Sequence, residues 1–487
     1  MLWKAVQANW KTFLAELEAA AEAPALPGFV VAEVEAFLKC GILGHGFLRC
    51  RCKQCGWCRA VALSCQRRGF CPSCIGRRMS DTAARWVDRV IPSTPVRQWV
   101  LTVPHGLRAK LAFDPKLATL VLRGFVAAAS QWLRRRARRL GIRGTLKTGG
   151  VTVIQRFNSA LDVSVHFHTL MIDGVYTFPV GRAPVFHPTP APTDEDVAAV
   201  AAAVFRKVER ALGRFAPSAQ QRRFAEDASL LLAIGEASSR GVGATGPRRG
   251  RRAVRVRGLP PDAEAFVMGK LCAQVEGYNL QAATRLAAND REGLERMGRY
   301  LARPPIATDR LSRRPDGNFE LLFKRPWRDG TTAMIFTGHE LMERLCALVP
   351  RPRAHLVRYH GVLAPAFAAR AQIVPTPIPD AEATAPRSPP PEGVDAPRGP
   401  GRLPWASLLW RVFRKDALQC ERCDGRMEIV AAVLRAGAIT RVLDHLGLPS
   451  AVPGFHPARP PPQFDLPFDD GGSGFEADPP APDDYTT

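Results

Sequence analysis

The spacing of the cysteines constrains the fold of this chain more than any other feature of the sequence, because eight of its twelve cysteines lie between Cys40 and Cys74. Disulfides do not persist in a reducing compartment, so such clustering indicates metal ligation. The pairs Cys52-x2-Cys55 and Cys71-x2-Cys74, separated by fifteen residues, have the spacing of a zinc site with four cysteine ligands. A closed site of this kind folds a module and performs no chemistry.

Further metal sites are open alternatives. Cys40, His45 and Cys65 could form a second zinc site, although some of them could equally be small buried residues. Cys420-x2-Cys423 is half of a zinc ribbon, and its nearest downstream partner is His445. Two reduced cysteines in a turn are the other interpretation of that pair.

The charge of the chain favours a polyanionic partner. Lys and Arg total 68 against 45 Asp and Glu, which gives a net charge of +23. Nucleic acid is the first expectation. Two basic tracts, 132–147 and 246–258, are candidates for DNA contact through Arg134, Arg135, Arg248 and Arg249. Trp132 could stack on a base; a solvated helix face and a surface loop are the alternative interpretations.

Composition excludes several classes of protein. Hydrophobic residues make up 46% of the chain, which excludes wholesale disorder. No apolar stretch approaches the roughly 18–20 residues that span a bilayer, and the N-terminus lacks a signal-peptide pattern. We therefore expect a soluble protein in the cytoplasm, with no membrane partner. The sequence predicts no oligomeric state, and it contains no GxxxxGK[ST] loop for a nucleotide-driven motor.

Hydrophobic periodicity predicts a mixed α+β chain. Helices are predicted at 3–24, 28–40, 77–91, 114–140, 193–213, 219–235, 262–275, 290–302 and 337–348, and the clearest strands at 97–104, 150–157 and 163–172. The predicted organisation is an N-terminal zinc-binding module (1–90), a main domain (91–373), a Pro-rich linker (374–404), a small CxxC module (405–450) that is mobile relative to the core, and a disordered acidic tail (451–487).

Two histidines and a tyrosine are the candidate chemical groups. His166 and His168 lie two apart in a predicted strand, so their side chains project from one face, with Phe167 in the opposite layer. Such a pair can hold one divalent cation, although a buried histidine would give the same pattern. Tyr300 lies on the 290–302 helix among arginines that include Arg296 and Arg299, which can hold phosphate oxygens. A tyrosine at the edge of the core is the other interpretation.

Three runs of sequence resemble those of rolling-circle transposases of the insertion-sequence-ninety-one type, and most of all those of insertion-sequence common-region elements. They are GGVTVIQRFNSALDVSVHFHTLMIDGV, DREGLERMGRYLARPP and the cysteine block ending in RGFCPSCIGRR. The resemblance covers residues 30–373 and, more loosely, 405–447. It implies an endonuclease domain of the HUH (His-hydrophobic-His) type, with a central antiparallel sheet flanked by helices, that cleaves and rejoins single-stranded DNA. It also implies a bacterial protein associated with the nucleoid.

The resemblance also implies roles for particular residues. His166 and His168 match the metal-binding pair for Mg2+ or Mn2+, and Tyr300 matches the nucleophile that forms a 5′-phosphotyrosine. Gln281 is our candidate for a third metal ligand. Some relatives carry a second tyrosine where this chain has Arg296, so a single tyrosine would be reused, unless Tyr278 substitutes.

Two other functions remain open at this stage. One is a non-catalytic zinc-dependent DNA-binding protein, either a regulator or a decayed transposase. The other is a related HUH replication initiator or relaxase, which would differ in the DNA that it cuts. A transposase with three carboxylates is disfavoured, because Asp162 and Asp173, which flank the histidine strand, are more simply explained as turn residues.

Overall fold

The computed structural model describes residues 1–20, 25–258, 269–327, 329–375 and 405–459. Its α-helices are α1 Leu2–Ala19, α2 Gly28–Lys39, α3 Pro72–Arg89, α4 His105–Phe113, α5 Pro115–Arg139, α6 Asp194–Leu212, α7 Ala219–Asp227, α8 Ser229–Ser239, α9 Arg291–Leu301, α10 Gly338–Leu348, α11 Trp405–Phe413 and α12 Ala436–His445. The predicted mixture of helices and antiparallel sheets is confirmed.

The strands within these residues form four sheets. They are β1 Phe47–Cys52, β2 Cys58–Ala62, β3 Val96–Thr102, β4 Gly149–Phe157, β5 Val163–Ile172, β6 Gly174–Thr177, β7 Val185–Pro188, β8 Val254–Arg257, β9 Cys272–Val275, β10 Tyr278–Gln281, β11 Arg285–Leu286, β12 Leu311–Arg313, β13 Phe319–Leu322, β14 Thr331–Phe336, β15 Val357–Gly361 and β16 Met427–Val433.

The largest sheet has the order β15-β4-β5-β3-β10-β9, with β11 also paired to β3. Its neighbouring strands are antiparallel, and the β4–β5 hairpin is at its centre. The side-chain oxygen of Asn158 closes this hairpin by accepting hydrogen bonds of 2.9 Å from the backbone N–H groups of Ala160 and Asp162. Such a side-chain-to-backbone bond mimics a turn and fixes the register of the strands.

Helices cover both faces of this central sheet. On one face, Leu101, Phe167 and Leu280 belong to the same core cluster as the apolar side of α5. The opposite face presents Val153 and Leu170 to a second cluster, which includes residues of α3 and α9. Helix α9 therefore lies over the face that carries His166 and His168, because side chains two apart in a strand share a face.

A close approach of two backbones joins α9 to α3. A Cβ atom on Gly298 would lie 3.0 Å from both Cα and Cβ of Ala83, so only glycine fits there without displacing α3. The contact holds α9 against a helix that begins inside the cysteine-rich module. The face of the central sheet that carries the histidines, α3 and α9 thus pack together as one unit.

The C-terminal segment departs from the predicted arrangement. Strand β16 pairs with β1 in an antiparallel three-stranded sheet of order β16-β1-β2, so it completes the N-terminal module. Helix α11 packs on α3. The prediction of a module that moves independently of the core is therefore corrected, because backbone pairing of this kind joins the two ends of the chain.

Local differences from the predicted elements have simple causes. Helix α3 begins at Pro72, five residues earlier than predicted, because Pro is favoured at the first helical position. The predicted helix at 219–235 divides at Ala228 into α7 and α8. Residues 272–275 of the predicted 262–275 helix form β9, which pairs with β10; residues 262–268 lie outside the described residues, as do 376–404 of the predicted linker and 460–487 of the predicted tail.

Two acids that flank the histidine strand are structural. Asp173 is 2% exposed and forms ion pairs with Arg97 and Arg285 at 3.1 Å. Asp162 is paired with the buried Arg344. Both residues lie in the connections at the two ends of β5, as predicted for turn residues, and their carboxylates also hold elements together.

Candidate functional site

The two histidines of β5 lie side by side on one face of the central sheet. The ring centroids of His166 and His168 are 4.8 Å apart, and the rings are nearly perpendicular. Phe167, between them in sequence, is fully buried on the other face. The spacing of two residues thus places two imidazoles together, as predicted.

Each imidazole has defined hydrogen-bond partners. Nε2 of His166 lies 2.9 Å from Oε1 of Gln155, and its Nδ1 lies 3.0 Å from the backbone oxygen of Ser164. Nδ1 of His168 lies 2.9 Å from Nε2 of Gln98. Nε2 of His168 is buried and has no hydrogen-bond partner among the described residues. An orphaned buried nitrogen of this kind is available to a ligand.

Burial keeps both imidazoles neutral. Desolvation, opposed by a backbone hydrogen bond to Ser164, lowers the pKa of His166 to about 4. Desolvation also holds the pKa of His168 well below its usual value, and the nearby charges of His166 and Arg303 act in the same direction. A neutral imidazole is the form that binds a metal ion.

Tyr300 lies beside this pair. The centroid of its ring is 6.4 Å from that of His168, and the side chain is 51% exposed. The guanidinium of Arg303 lies 4.6 Å from the same ring centroid and also faces the ring of Phe157. Tyr300 therefore borders the histidines with its ring open to solvent, rather than serving as a core residue.

The two arginines predicted on this helix have carboxylate neighbours. Arg299 is 2.8 Å from Glu295, and Arg296 is 3.7 Å from Glu292, both as i,i+4 pairs. The guanidinium of Arg303, which follows α9, lies over the Tyr300 ring. The sequence-based prediction selected Arg296 and Arg299 and did not include Arg303.

Gln155 is the residue that sequence reasoning missed. It lies on β4 directly opposite His166, so both side chains emerge from the same face. Gln281, the predicted third ligand, is on that face as well, but Val100 of β3 stands between it and His168 in the sheet. A polar residue inside the apolar β4 run was the one available signal for Gln155.

Tyr278 is remote from the histidines. Its ring is 1% exposed on the opposite face of the sheet, and its hydroxyl donates a 2.8 Å hydrogen bond to Glu209. Burial, together with Glu209, raises the pKa of this phenol. Tyr278 is therefore a packing residue in this fold.

Eight cysteines form two clusters of four, in a different partition from the predicted one. Cys71 and Cys74 join Cys40 and Cys65, while Cys52 and Cys55 join Cys420 and Cys423. The predicted set of Cys52, Cys55, Cys71 and Cys74 is thus wrong as a group. His45 and His445 belong to neither cluster.

Helix ends bring the first cluster together. Cys40 follows the last residue of α2, and Cys71 caps the N-terminus of α3, with Cys74 in its first turn. The sulfur of Cys74 lies 3.7 Å from that of Cys40 and 3.4 Å from that of Cys65. Thiolates are favoured at a helix N-terminus, which supports metal binding here.

The basic tracts are partly used within the fold. In the first, Trp132 is partly buried, donates a hydrogen bond to Asp196 and packs edge-on against Trp99, and base stacking by this side chain stays a prediction. Arg135 is exposed and Arg134 is half-buried on α5, on the sheet face opposite the histidines. In the second tract, Arg248 forms a 2.8 Å ion pair with Glu340, and Arg249 is exposed.

Comparison with known protein families identifies two regions. Residues 6–103 match the family described as "Transposase zinc-binding domain", and residues 149–371 match the family described as "Putative transposase". No curated protein and no solved structure matches the chain. Among the described residues, no helix combines the length and apolar character needed to cross a membrane.

These findings agree with the cysteine clusters and the predicted motifs. The two matches occur in the order that the sequence predicts and together cover about two thirds of the chain. They establish a zinc-binding protein with an enzymatic role in DNA transposition, and DNA is its partner. The chain therefore belongs to the insertion-sequence-ninety-one family of transposases.

Proposed function

We propose that this transposase cleaves and rejoins single-stranded DNA through attack of Tyr300 on a phosphodiester, in rolling-circle transposition. The observation that carries the proposal is the position of Tyr300 beside His168, at 6.4 Å between ring centroids, on the sheet face that also carries His166. A solvent-open tyrosine next to two neutral imidazoles is suited to metal-assisted phosphoryl transfer.

The residues fit a divalent cation such as Mg2+ or Mn2+. His168 Nε2 is buried without a partner, and His166 Nε2 and Gln155 Oε1 lie 2.9 Å apart on the same face. These three atoms would hold the ion, with Gln155 as third ligand. When bound, the cation polarises the phosphate and stabilises the charge that develops on its oxygens.

Backbone and amide groups set the tautomers that this role requires. A proton on Nδ1 of His166 can be donated to the carbonyl of Ser164, which leaves Nε2 free to coordinate. For His168, the amide of Gln98 can present its oxygen to Nδ1–H, which leaves the lone pair on Nε2. Ser164 and Gln98 thus act as positioning groups.

The proposed cleavage step conserves the number of ester bonds. The phenolic oxygen of Tyr300 forms a bond to phosphorus while the bond from phosphorus to the 3′-oxygen breaks. The phenolic proton leaves Tyr300, and the departing 3′-oxygen gains a proton, so the products are a 5′-phosphotyrosine and a free 3′-OH. Arg303, beside the Tyr300 ring, supplies positive charge near the transferring phosphate.

Rejoining reverses the same exchange. A 3′-OH on the target strand attacks the phosphotyrosine linkage and restores the phenol of Tyr300. No external energy source is required, since one phosphate ester replaces another at each step. With Arg296 at the position of the second tyrosine of some relatives, Tyr300 would serve in both transfers.

Adduct formation tests the proposal directly. Purified full-length protein is incubated with labelled single-stranded oligonucleotides from the ends of its genomic element, with Mn2+ or with EDTA, and is analysed on a denaturing gel. We expect a metal-dependent covalent adduct with the wild type and with Tyr278→Phe, and none with Tyr300→Phe. The Tyr278 variant is the matched control, because it removes a phenol on the opposite face of the sheet.

Other outcomes identify the alternatives. Normal nicking by Tyr300→Phe would remove Tyr300 from the mechanism. Binding without any adduct, under several metals and with both strands, would favour the non-catalytic zinc-dependent DNA-binding protein. Cleavage at a replication or transfer origin beside the gene, rather than at transposon ends, would identify an HUH replication initiator or relaxase.

A further inference from the structure

Four cysteines from opposite ends of the chain converge beside the β16-β1-β2 sheet. The sulfurs of Cys52 and Cys423 are 3.5 Å apart, and those of Cys55 and Cys420 are 3.7 Å apart. Their ligand atoms all lie within 4.8 Å of one another. All four are free cysteines, and two of them, Cys420 and Cys423, lie outside both matched family regions.

Sheet topology explains why these two pairs meet. The pairing of β1 with β16 is antiparallel and puts Cys52 opposite Met427. The end of β1 therefore adjoins the start of β16. Each CxxC turn is at this shared edge, since one follows β1 and the other precedes β16. Two CxxC turns at one end of a small sheet are the arrangement of a zinc ribbon.

The distances between the cysteine sulfurs fit a zinc ion with tetrahedral coordination. A zinc–sulfur distance of about 2.3 Å gives a tetrahedral edge of about 3.8 Å between sulfurs. The two cross-turn distances are close to this edge. Positive φ angles at Gly56 and Asp424 also allow the backbone to turn tightly after each cysteine pair. Backbone N–H of Arg422 points to the sulfur of Cys420 at 3.4 Å, a contact that favours thiolate.

We propose that Cys52, Cys55, Cys420 and Cys423 bind a structural zinc ion that fastens the C-terminal segment 405–459 to the N-terminal module. This ion is separate from the one that Cys40, Cys65, Cys71 and Cys74 would hold. With four protein ligands it leaves no open position for water, so its role is to join two distant parts of the chain.

Attachment of the C-terminal segment also affects α9, the helix that carries Tyr300. Arg411 of α11 donates hydrogen bonds of 2.6 and 2.8 Å to Glu295 of α9, and of 2.6 and 3.1 Å to Asp88 of α3. Zinc-dependent docking of the C-terminal segment thus provides a cation that ties α9 to α3. This consequence for α9 relates to the proposed nuclease, whereas the zinc site itself does not depend on it.

Metal content of the full-length protein tests the site without DNA. We expect the double variant Cys420→Ser/Cys423→Ser to bind one zinc ion fewer per chain than the wild type. After cobalt substitution, its sulfur-to-cobalt absorption should fall by about half, since four of eight thiolate ligands are affected. Cys58→Ser is the matched control, because Cys58 lies on the same hairpin but outside the cluster. Equal zinc content in the double variant and the wild type would overturn the proposal.

Two further measurements guard against a variant that fails to fold. Cys423→His should retain zinc, since three cysteines and one histidine are an accepted ligand set. In the wild type, Cys55 and Cys423 are exposed, yet bound zinc should protect them from alkylation until a chelator is added. Rapid alkylation of both thiols in the zinc-loaded protein would refute the site. None of these readouts involves Tyr300, so failure here is distinguishable from failure of the proposed nuclease.

Discussion

Replacement of Gln155 by leucine tests the proposal that Gln155 is the third metal ligand. Gln155 Oε1 is 2.9 Å from His166 Nε2, and the residue is 4% exposed. Loss of a group that coordinates or orients a metal ligand typically weakens metal affinity 10–100-fold, or about 1.4–2.7 kcal/mol. Because burial hinders water from replacing the lost oxygen, we expect the upper end of this range, about 100-fold.

The assay is a Mn2+ titration of adduct formation on a single-stranded oligonucleotide. For Gln155→Leu, the half-saturating Mn2+ concentration should rise about 100-fold, with partial recovery of the rate at saturating metal. Gln155→Glu should bind Mn2+ at least as tightly as the wild type, because it retains an oxygen ligand and adds charge.

Gln281→Leu is the control that separates the two candidate ligands. Gln281 lies on the same sheet face, but Val100 stands between it and His168. We expect its titration curve to overlay that of the wild type. An unchanged curve for Gln155→Leu together with a displaced curve for Gln281→Leu would refute our reasoning and restore the ligand predicted from the sequence.

Three further variants probe the scaffold. Arg411→Met should lower the rate of adduct formation about tenfold without changing zinc content, since α9 loses a tie to α3; an unchanged rate would exclude a positioning role. Asp173→Asn should cost about 3–5 kcal/mol in urea unfolding, because it leaves Arg97 buried without its charge partner. His339 has a raised pKa: burial lowers it, but Glu343 and Glu16 outweigh that effect. The stabilisation that protonated His339 gives the fold should be complete below a pH of about 6.5 and should be lost as the pH rises through the folded-state pKa. The difference in unfolding free energy between the wild type and His339→Gln should therefore shrink at alkaline pH.

Much of the candidate site could be predicted because its pattern is local. Two histidines separated by one residue in a strand share a face whatever surrounds them. The amphipathic pattern of 290–302 likewise predicted the helix that became α9, residues 291–301. Alternating and periodic patterns are short-range properties, so the sequence by itself determined the mixed α+β class and the principal chemical groups.

Tertiary structure alone decided which groups meet. A CxxC spacing says that two cysteines share a turn, but it does not say which two turns come together. That choice followed from the pairing of β1 with β16, strands separated by most of the chain. Gln155 likewise reached His166 through strand register, which depends on how the β4–β5 hairpin closes. Local sequence patterns determine which face of a strand a side chain occupies and where a turn forms. Long-range strand pairing, stabilised by burial and backbone hydrogen bonds, determines which residues become neighbours.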